Sequence, residues 1–426
     1  MSLLVINNEH QNKQILNSLY MPMVFLASLS ISLNILNPIL AQDEHLIKTA
    51  YLNSSQNIIT TQIDKAALLE KQKKEWDESV RQRYRNSRIL TVAQGVKHMQ
   101  MVKYINSRPV KINVVEVNKQ LNSNIKMMPE MASSFSLAGK RTIRTIAQKN
   151  NSIAAVNCTY FKPQTGVPLG MLMKDGEILT GPIFNRVAMG IGEDGFKMSR
   201  MEIDGKVYSK NVSIKLDNIN QPRMLATYVI AYTSQWGKMA PVVPKYGIQI
   251  AIENGEVTNY STKPIEIPQN GYVISGPAKI LEEIINEKNI EVEIKTVPDW
   301  DDVNHIISGG PYLLKDGEIY IDTKEERLTA ITGKNPRTAI GYTKDGNLIL
   351  ITIDGREESS VGMTLGELAW FMKSIGAYEA MNLDGGGSSV MYVNGNIVNS
   401  PAQKGGIAIS NAFVINIEKE EEISQK

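Results

Sequence analysis

The chain has 426 residues, of which 21% are charged, and its formal net charge is +2. A charge this close to balance argues against a nucleic-acid-binding protein, which needs an excess or a segregated patch of Lys and Arg. Cys158 is the only cysteine and the four histidines are widely spaced. This pattern excludes an intrachain disulfide and a cysteine metal cluster, and it disfavours a histidine-rich metal site. Any catalysis is therefore expected to depend on carboxylates.

The first predicted element is the long apolar stretch at residues 22–41, which ends close to Pro38 and the small residue Ala41. Its length and ending are typical of a cleaved export signal, whereas an uncleaved membrane anchor and a buried core helix are the alternatives. We therefore predict that residues 1–42 are a signal peptide or membrane anchor. The protein is then exported, to the periplasm, the cell envelope or the extracellular space.

A highly charged segment follows at residues 63–88. Its apolar positions recur at loosely helical spacing: Ala66, Leu69, Trp76, Val80 and Tyr84. This periodicity predicts an amphipathic helix within a charged helical spacer, residues 43–88. Its arginine-rich end is predicted to be a solvated face, with contact to an acidic glycan or a membrane surface as the alternative.

From Ile89 onward the sequence favours β-structure. Seven of its Asp-Gly and Asn-Gly dipeptides are flanked by apolar or alternating runs, a pattern that predicts hairpins. Their glycines are Gly176, Gly195, Gly205, Gly255, Gly317, Gly346 and Gly395. Helices are predicted at residues 142–149, 278–287 and 365–375, and a last strand at 406–417. For the third helix, Thr364 and Glu367 form a capping-box pattern and Gly376 provides a stop.

The predicted fold class is thus α+β: one antiparallel-strand-rich domain (89–418) with a few helices, followed by a disordered tail (419–426). Within it, Tyr378 to Val393 holds the most unusual stretch, where an apolar run ends in Asp384, three glycines and two serines. Three glycines in a row favour a turn with positive φ or close backbone approach, whose N–H groups can bind an anion. A plain glycine-rich hairpin is the alternative.

Other apolar runs also end in polar or glycine-rich segments: Asn157–Phe161 (N-C-T-Y-F), Ser308–Pro311 (S-G-G-P), Asn335–Thr338 (N-P-R-T) and Asp354–Arg356 (D-G-R). Arg337 and Arg356 suit a phosphate, and Tyr160 and Phe161 suit a sugar face. Asp354 and Asp384 are the natural pair for cleavage at an anomeric carbon. Three of these candidate residues also have an ordinary structural interpretation. Asp354 can be a loop-capping acid, Arg337 an ion-pair partner and Asn157 a turn residue.

Taken together, these motifs, with G-M-T-L-G-E-L-A-W-F-M and N-L-D-G-G-G-S-S, resemble the phosphodiester glycosidase family over about residues 90–417. Where members often carry a histidine before P-R-T, this chain has Asn335. The resemblance implies catalytic roles for Asp384, Asp354 and Arg337. It also implies substrate-binding roles for Asn157, Phe161, Gly309, Gly310, Thr338, Gly355, Gly385, Gly386, Gly387 and Ser388.

The resemblance implies hydrolysis of a sugar-1-phosphodiester in cell-envelope or extracellular glycans, with a phosphorylated sugar or polysaccharide as partner and no nucleic acid. No cofactor is assigned, and the sequence leaves open whether a divalent cation is bound. One alternative is a non-catalytic envelope module that binds phosphorylated polysaccharide. Another is an exopolysaccharide assembly factor that works through the 63–88 helix and is tethered through residues 22–41.

Overall fold

The computed structural model describes residues 65–418. The chain divides into two compact units, Met1–Gln72 and Lys73–Lys426, and of the first only residues 65–72 are described. Residues 65–83 are helical (α1), as the charged segment predicts. Among the described residues, no helix combines the length and the apolar character that crossing a bilayer requires. The predicted signal or anchor (1–42), residues 43–64 of the predicted spacer and the predicted tail (419–426) lie outside the described residues.

Residues 73–84 are fastened to the sheet by one buried acid. Glu116 is fully buried and accepts hydrogen bonds from the Trp76 indole (2.9 Å), the Tyr84 hydroxyl (2.8 Å) and both terminal nitrogens of Arg83 (2.9 and 2.6 Å). A buried carboxylate is tolerated when it is paired and its lone pairs are satisfied, as here. Arg83 therefore forms an ion pair with Glu116 inside the second compact unit. At this position the predicted solvated face of the arginine-rich end is wrong.

Twenty-six strands follow α1 in the described part of the chain. In chain order they are β1 (Arg88–Ala93), β2 (Val96–Ile105), β3 (Arg108–Val117), β4 (Ile125–Met131), β5 (Ala154–Asn157), β6 (Leu172–Lys174), β7 (Glu177–Thr180), β8 (Val187–Gly192), β9 (Phe196–Arg200), β10 (Glu202–Tyr208), β11 (Ser213–Leu216), β12 (Asn218–Ile219), β13 (Ile230–Tyr232), β14 (Gly247–Glu253), β15 (Glu256–Ser261), β16 (Gly271–Pro277), β17 (Glu291–Val297), β18 (Val303–Ser308), β19 (Tyr312–Lys315), β20 (Glu318–Ile319), β21 (Arg337–Thr343), β22 (Leu348–Ile353), β23 (Ala377–Asn382), β24 (Met391–Val393), β25 (Asn396–Ile397) and β26 (Asn411–Ile417).

These strands form five sheets. The largest has the order β1-β2-β3-β22-β21-β23-β19-β20, and the others are β11-β10-β17, β12-β13-β16-β14-β15, β7-β6-β18-β8-β9 and β25-β24-β5-β26-β4. Between the described strands the pairing is antiparallel except for β12 with β13. The predicted α+β class with predominantly antiparallel strands is therefore confirmed.

Most of the predicted hairpins are present. Asp175-Gly176, Asn254-Gly255, Asp316-Gly317 and Asn394-Gly395 are two-residue turns in which both residues have positive φ. The glycines at 195 and 346 lie in longer hairpin loops, between β8 and β9 and between β21 and β22. The prediction at Gly205 was wrong, because Asp204-Gly205 lies inside β10. There its glycine is paired with Leu216 and Ile294, and an added Cβ would lie 3.0 Å from the Leu216 side chain.

The three helices predicted after residue 89 are present, one in shortened form. They are α2 (Ile143–Lys149), α3 (Ala278–Leu281, continued by a 3-10 turn to Ile284) and α4 (Leu365–Ser374). Thr364 and Glu367 form the predicted capping box of α4. The helix ends before Gly376, whose φ of 91° is a conformation that glycine adopts without strain.

Antiparallel register brings the later motifs to one edge of the largest sheet. Arg337, the first residue of β21, pairs with Ile353 at the end of β22, and Ala339 pairs with Asn382 at the end of β23. The start of β21 therefore lies beside the ends of both neighbours, from which Asp354 and Asp384 continue. This arrangement gathers the N-P-R-T, D-G-R and N-L-D-G-G-G-S-S motifs in space.

Candidate functional site

A cavity of about 280 Å³ lies at this edge of the sheet. Its wall combines an acid, two arginines, amides and glycines: Tyr160, Ala330, Ile331, Asn335, Arg337, Arg356, Asn382, Asp384, Gly385, Gly386 and Gly387. Of the residues predicted from sequence, the structure thus brings together Asp384, Arg337 and the three glycines of the turn.

Asp384 is the acid of the cavity and directly follows β23. Burial raises the pKa of its carboxyl to about 6, although hydrogen bonds from the Ser388 side chain and the Gly385 N–H, and the positive charge of Arg186, lower it. Its backbone is fixed as well, because the Asn157 amide donates to the Asp384 carbonyl (2.5 Å). The acid is therefore held in one place and changes charge in the mildly acidic range.

Arg337 is buried, with 2% of its surface exposed, yet it has no ion-pair partner among the described residues. Its Nε donates to the Met363 carbonyl (3.0 Å), and its Nη2 donates to the carbonyls of Ile331 and Gly333 (both 2.6 Å). Burial lowers its pKa. The alternative interpretation, an ordinary structural ion pair, finds no acidic partner within residues 65–418, because backbone carbonyls orient the guanidinium instead.

Arg356 is the second cation of the cavity wall and is exposed. Its backbone φ of 65° turns the chain after β22, and its Nη2 donates to the Asn335 side chain (2.8 Å). Gly386, at φ 59°, lies so close that an added Cβ would be 3.2 Å from that nitrogen. Because this close approach and the left-handed backbone both favour glycine, the turn and the arginine are matched to each other.

The backbone donors of the glycine turn are largely used within the protein. The N–H groups of Gly386, Ser388 and Ser389 donate to the carbonyls of Pro336, Gly385 and Gly386, at 2.9, 3.1 and 3.3 Å. The segment Gly386–Ser388 is a 3-10 turn. The turn therefore shapes the cavity and fixes Asp384, while the arginines offer the strongest anion-binding groups.

Two further residues of the cavity wall are Tyr160, which the sequence suggested for contact with a sugar face, and Asn382, to which it assigned no role. The Tyr160 hydroxyl donates to the Gly310 carbonyl (3.0 Å) and accepts from the Asn382 amide (3.0 Å). The side-chain oxygen of Asn382 is buried and has no hydrogen-bond partner among the described residues. Both residues belong to motifs that the sequence singles out, N-C-T-Y-F and N-L-D-G, so the missing information was the direction of each side chain.

Several predicted binding residues support the cavity from behind. Asn157 is buried and its amide oxygen accepts from the Thr338 hydroxyl (2.6 Å) and the Val390 N–H (3.1 Å). It therefore joins β5, β21 and the end of the glycine turn. Phe161 does not line the cavity and packs beside the cluster that contains Ile143 of α2. Tyr160, not its neighbour, is thus the aromatic residue of the wall.

The predicted glycines outside the turn are positions of close backbone approach. An added Cβ on Gly309 would lie 2.3 Å from the Asn382 carbonyl, and one on Gly355 would lie 2.8 Å from the Pro336 nitrogen. At Gly310, with φ 131°, it would lie 2.4 Å from a carboxylate oxygen of Glu326. These glycines let the strand ends pack together and do not themselves line the cavity.

Asp354 is buried and does not line the cavity either. Its Oδ1 accepts from the Asn399 amide (3.0 Å) and the Ser400 N–H (2.9 Å), and burial raises its pKa. Asn399 also donates to the Ser389 carbonyl (3.1 Å). Asp354 therefore anchors the segment that follows β25 and, through Asn399, the end of the glycine turn.

Glu326, for which no role is predicted from the sequence, is a fully buried acid. It accepts from the N–H groups of Tyr312 (3.0 Å) and Val187 (3.4 Å), beneath the turn at residues 309–311. Burial raises its pKa to about 7, with the two backbone N–H groups and Arg200 opposing that shift. Glu326 follows Lys324 and Glu325 in an ordinary charged segment and has no local sequence signal, because its burial depends on strands that are distant in the chain.

Glu326→Gln is expected to remove a pH dependence of stability. The folded pKa is about 7 and the ordinary value 4.5, so the unfolded chain loses its proton first as the pH rises. The contribution of Glu326 is fully present below about pH 4.5 and is lost by about pH 7, a change on the order of 3 kcal/mol. Urea unfolding of both proteins from pH 4 to 8 measures it. If the free energy of unfolding changed equally with pH in the two proteins, Glu326 would not be protonated in the folded state.

No group of three or more His, Cys, Asp or Glu side chains that could hold a metal ion occurs within residues 65–418. Asp384 is the one acid of the cavity wall. The described residues therefore offer no cluster of acidic, histidine or cysteine side chains for a divalent cation. Whether the protein binds such a cation was left open by the sequence and is not decided by this observation.

Residues 246–416 match the phosphodiester glycosidase family. The resemblance predicted from the motifs is therefore confirmed. The phosphodiester glycosidase segment contains Arg337, Asp354, Arg356 and the 384–388 turn, whereas Tyr160 and Arg186 precede it.

One curated relative is the mouse N-acetylglucosamine-1-phosphodiester α-N-acetylglucosaminidase, which is 34% identical over 108 residues. That match covers 23% of this chain and 21% of the mouse protein, so the chain spans about a fifth of the length of the curated relatives it matches. The segment shared with this phosphodiester glycosidase is therefore local.

Solved structures show that the fold extends further than the sequence match. A hypothetical protein from Synechocystis superposes with a TM-score of 0.72 at 22% identity, over 78% of this chain and 64% of its own. A protein of Burkholderia pseudomallei described as exported superposes with a TM-score of 0.62 at 19% identity, over 73% of this chain and 74% of its own. At these identities the likeness concerns the fold alone.

Proposed function

We propose that the protein hydrolyses a sugar-1-phosphodiester. The observation that carries this proposal is a cavity in which two arginines without ion-pair partners among the described residues, Arg337 and Arg356, share the wall with the partly buried acid Asp384. Two uncompensated guanidinium groups fit a phosphate, and one fixed carboxylate fits an adjacent electron-poor carbon. The family match over residues 246–416 and the named activity of the mouse relative support the same reaction class.

In the proposed reaction Arg337 and Arg356 bind the phosphodiester oxygens. The bond between the anomeric carbon and the bridging oxygen breaks, and its electron pair leaves with the phosphate. Water adds to the anomeric carbon and loses a proton, so the products are the free sugar and a phosphomonoester. Because a phosphate is a good leaving group, a strong general acid is not required. Asp384 stabilises positive charge at the anomeric carbon and accepts the proton of water, for which it must be ionised.

The catalytic role of Asp354 stays a prediction. Its carboxylate contacts the 399–400 segment and does not line the cavity. We propose instead that Asp354 is a positioning residue, which holds Asn399 against the Ser389 carbonyl and so fixes the far end of the glycine turn.

We also propose that the substrate is a cell-envelope or extracellular glycan and that the chain acts outside the cytoplasm. Two observations support this: the apolar stretch at 22–41, which lies outside the described residues, and the structural relative described as exported. Phosphorylated sugars or polysaccharides are the expected partners.

The purified chain is expected to release free sugar from an N-acetylglucosamine-1-phosphodiester and to leave the corresponding uncharged N-acetylglucosaminide intact. The uncharged glycoside is the matched control, because it offers the same sugar without the groups that the arginines bind. Sugar and phosphomonoester are measured together, since hydrolysis at the anomeric carbon produces them in equal amounts. Binding of several sugar phosphodiesters without product would favour the non-catalytic binding module.

A further inference from the structure

Arg186, the residue before β8, lies directly behind the cavity wall. It is 9% exposed, and its guanidinium carbon is 4.9 Å from the centroid of the Tyr160 ring and 5.5 Å from that of the Phe184 ring. Its Nη1 is buried and has no hydrogen-bond partner among the described residues. Its Nε reaches only the Glu326 carbonyl, at 3.4 Å. The wall residue Tyr160 is thus backed by a buried cation.

This burial is unfavourable for stability. An arginine taken out of water without a carboxylate partner loses hydration that aromatic contacts replace only in part. Arg83 and Arg200 are paired with Glu116 and Asp322, whereas the buried Arg337 of the cavity wall, like Arg186, has no carboxylate partner among the described residues. Arg186 forms no such pair among the described residues, so a different role accounts better for its presence.

The local backbone holds Arg186 in this position. Phe184 and Asn185 both have φ of 50°, an unusual conformation for a large aromatic residue. This turn places the Phe184 ring against Arg186, while a second arginine, Arg327, lies 4.9 Å from the centroid of the same ring. Tyr160, Arg186, Phe184 and Arg327 therefore form an arginine–aromatic stack that begins at the cavity.

The charged groups around this stack identify which group Arg186 acts on. The acids that interact with it electrostatically are Glu326 and Asp384, besides the Tyr160 hydroxyl. Glu326 is protonated over much of the range below its pKa of about 7. Arg337 also interacts electrostatically with the Tyr160 hydroxyl, and Arg356 interacts with Arg337. Between about pH 6 and pH 7, where Asp384 is ionised and Glu326 is still largely protonated, Asp384 is therefore the carboxylate whose negative charge Arg186 stabilises.

We propose that Arg186 is a positioning residue of the site, which holds the Tyr160 ring against the cavity and supplies a buried positive charge that keeps Asp384 ionised during turnover. The inference rests on the proposed function, because it assigns a task to a charge behind the reacting groups. It also explains why the unpaired guanidinium lies against the one aromatic residue of the wall.

The test is the pH dependence of kcat/KM for a sugar phosphodiester, measured from about pH 4 to 9. The acidic limb of this profile is the fall in kcat/KM as Asp384 becomes protonated. For Arg186→Met, which replaces the charge with an apolar chain of similar length, the midpoint of this limb is expected to rise by about 0.5 to 1 pH unit. Arg186→Lys retains the charge and is expected to keep the limb near that of the parent. Arg327→Met is the matched control: it removes an arginine from the outer end of the same stack and should leave the limb unmoved.

Two outcomes overturn the proposal. One is an unmoved limb in Arg186→Met, and the other is an equal shift in Arg327→Met, which would indicate a general charge effect. A merely structural Arg186 would lower the melting temperature in both Arg186 variants without moving the limb. If Arg186→Met does not fold, Arg186→Gln provides a second neutral side chain for the same comparison.

A readout without turnover separates this inference from the proposed function. The γ-carboxyl resonance of Asp384, in protein labelled with carbon-13 at aspartate, is identified by its absence from Asp384→Asn. Its titration midpoint is expected to rise in Arg186→Met by the same about 0.5 to 1 unit. An unmoved midpoint overturns the role of Arg186, whereas a moved midpoint in a parent without turnover supports that role and overturns the hydrolytic function.

Discussion

Asp384→Asn is expected to lower kcat/KM for a sugar phosphodiester by about 10² to 10⁴-fold, the range typical of a group that transfers a proton in the transition state. The amide has nearly the same shape and still accepts from Ser388 and Gly385, which donate to the carboxyl in the parent. It carries no charge, however, and so cannot stabilise an oxocarbenium-like carbon or accept a proton. Steady-state kinetics on folded protein, verified by circular dichroism and melting temperature, measure the loss.

The same residue determines the expected pH profile of the parent. Because burial raises the pKa of Asp384 to about 6, activity should fall as the pH drops through that value and the carboxylate is protonated. The residual activity of Asp384→Asn should lack this limb. Retention of the parent's rate and acidic limb by a folded Asp384→Asn would exclude Asp384 as the essential base and would return Asp354 to consideration.

Arg337→Met is expected to abolish measurable turnover and to reduce the free energy of unfolding by about 2 to 4 kcal/mol. The methionine removes the guanidinium that donates to the carbonyls of Ile331, Gly333 and Met363, and the loss of these hydrogen bonds around a buried side chain is unfavourable. It also removes the buried cation proposed to bind the phosphodiester. Urea unfolding and kcat/KM of the same preparations measure the two effects.

Arg356→Met separates binding from folding. Arg356 is exposed and donates only to Asn335, so its loss should leave the free energy of unfolding nearly unchanged while KM for the phosphodiester rises. If Arg337→Met retained parental KM and kcat, Arg337 would be an ordinary core residue. If Arg356→Met left KM unchanged, the anion would have to be bound by Arg337 alone.

Features set by a few neighbouring residues were predictable. Asn-Gly and Asp-Gly turns, the capping box at Thr364 and Glu367, and the apolar run that ends at Asp384 each depend on backbone preferences within a few positions. The exception is Asp204-Gly205, where pairing with two neighbouring strands overrides the local preference for a turn. The motif set also predicted the family, because several short motifs in a fixed order are far more specific than any one of them.

Charge state and side-chain direction were not predictable in the same way. The sequence suggested both Tyr160 and Phe161 for a sugar face, and the resemblance implied a binding role for Phe161, but Tyr160 lines the cavity and Phe161 packs beside α2. Asp354 and Asp384 each follow an apolar strand that pairs with β21, and each precedes a glycine. Yet Asp354 accepts hydrogen bonds from Asn399 and Ser400, whereas Asp384 lines the cavity.

The sequence by itself determined the strand-rich α+β architecture, the resemblance to the phosphodiester glycosidase family and part of the cavity wall, namely Arg337, Asp384 and the three glycines that follow it. The tertiary structure alone decided which acid faces the cavity, which arginines lack partners and that Glu326 and Arg186 are buried behind it. The physical reason is that turns and helix caps are stabilised by neighbours in the chain. The pKa of a carboxyl and the desolvation of a guanidinium depend instead on groups that only folding brings together, as Arg186 and Tyr160 show.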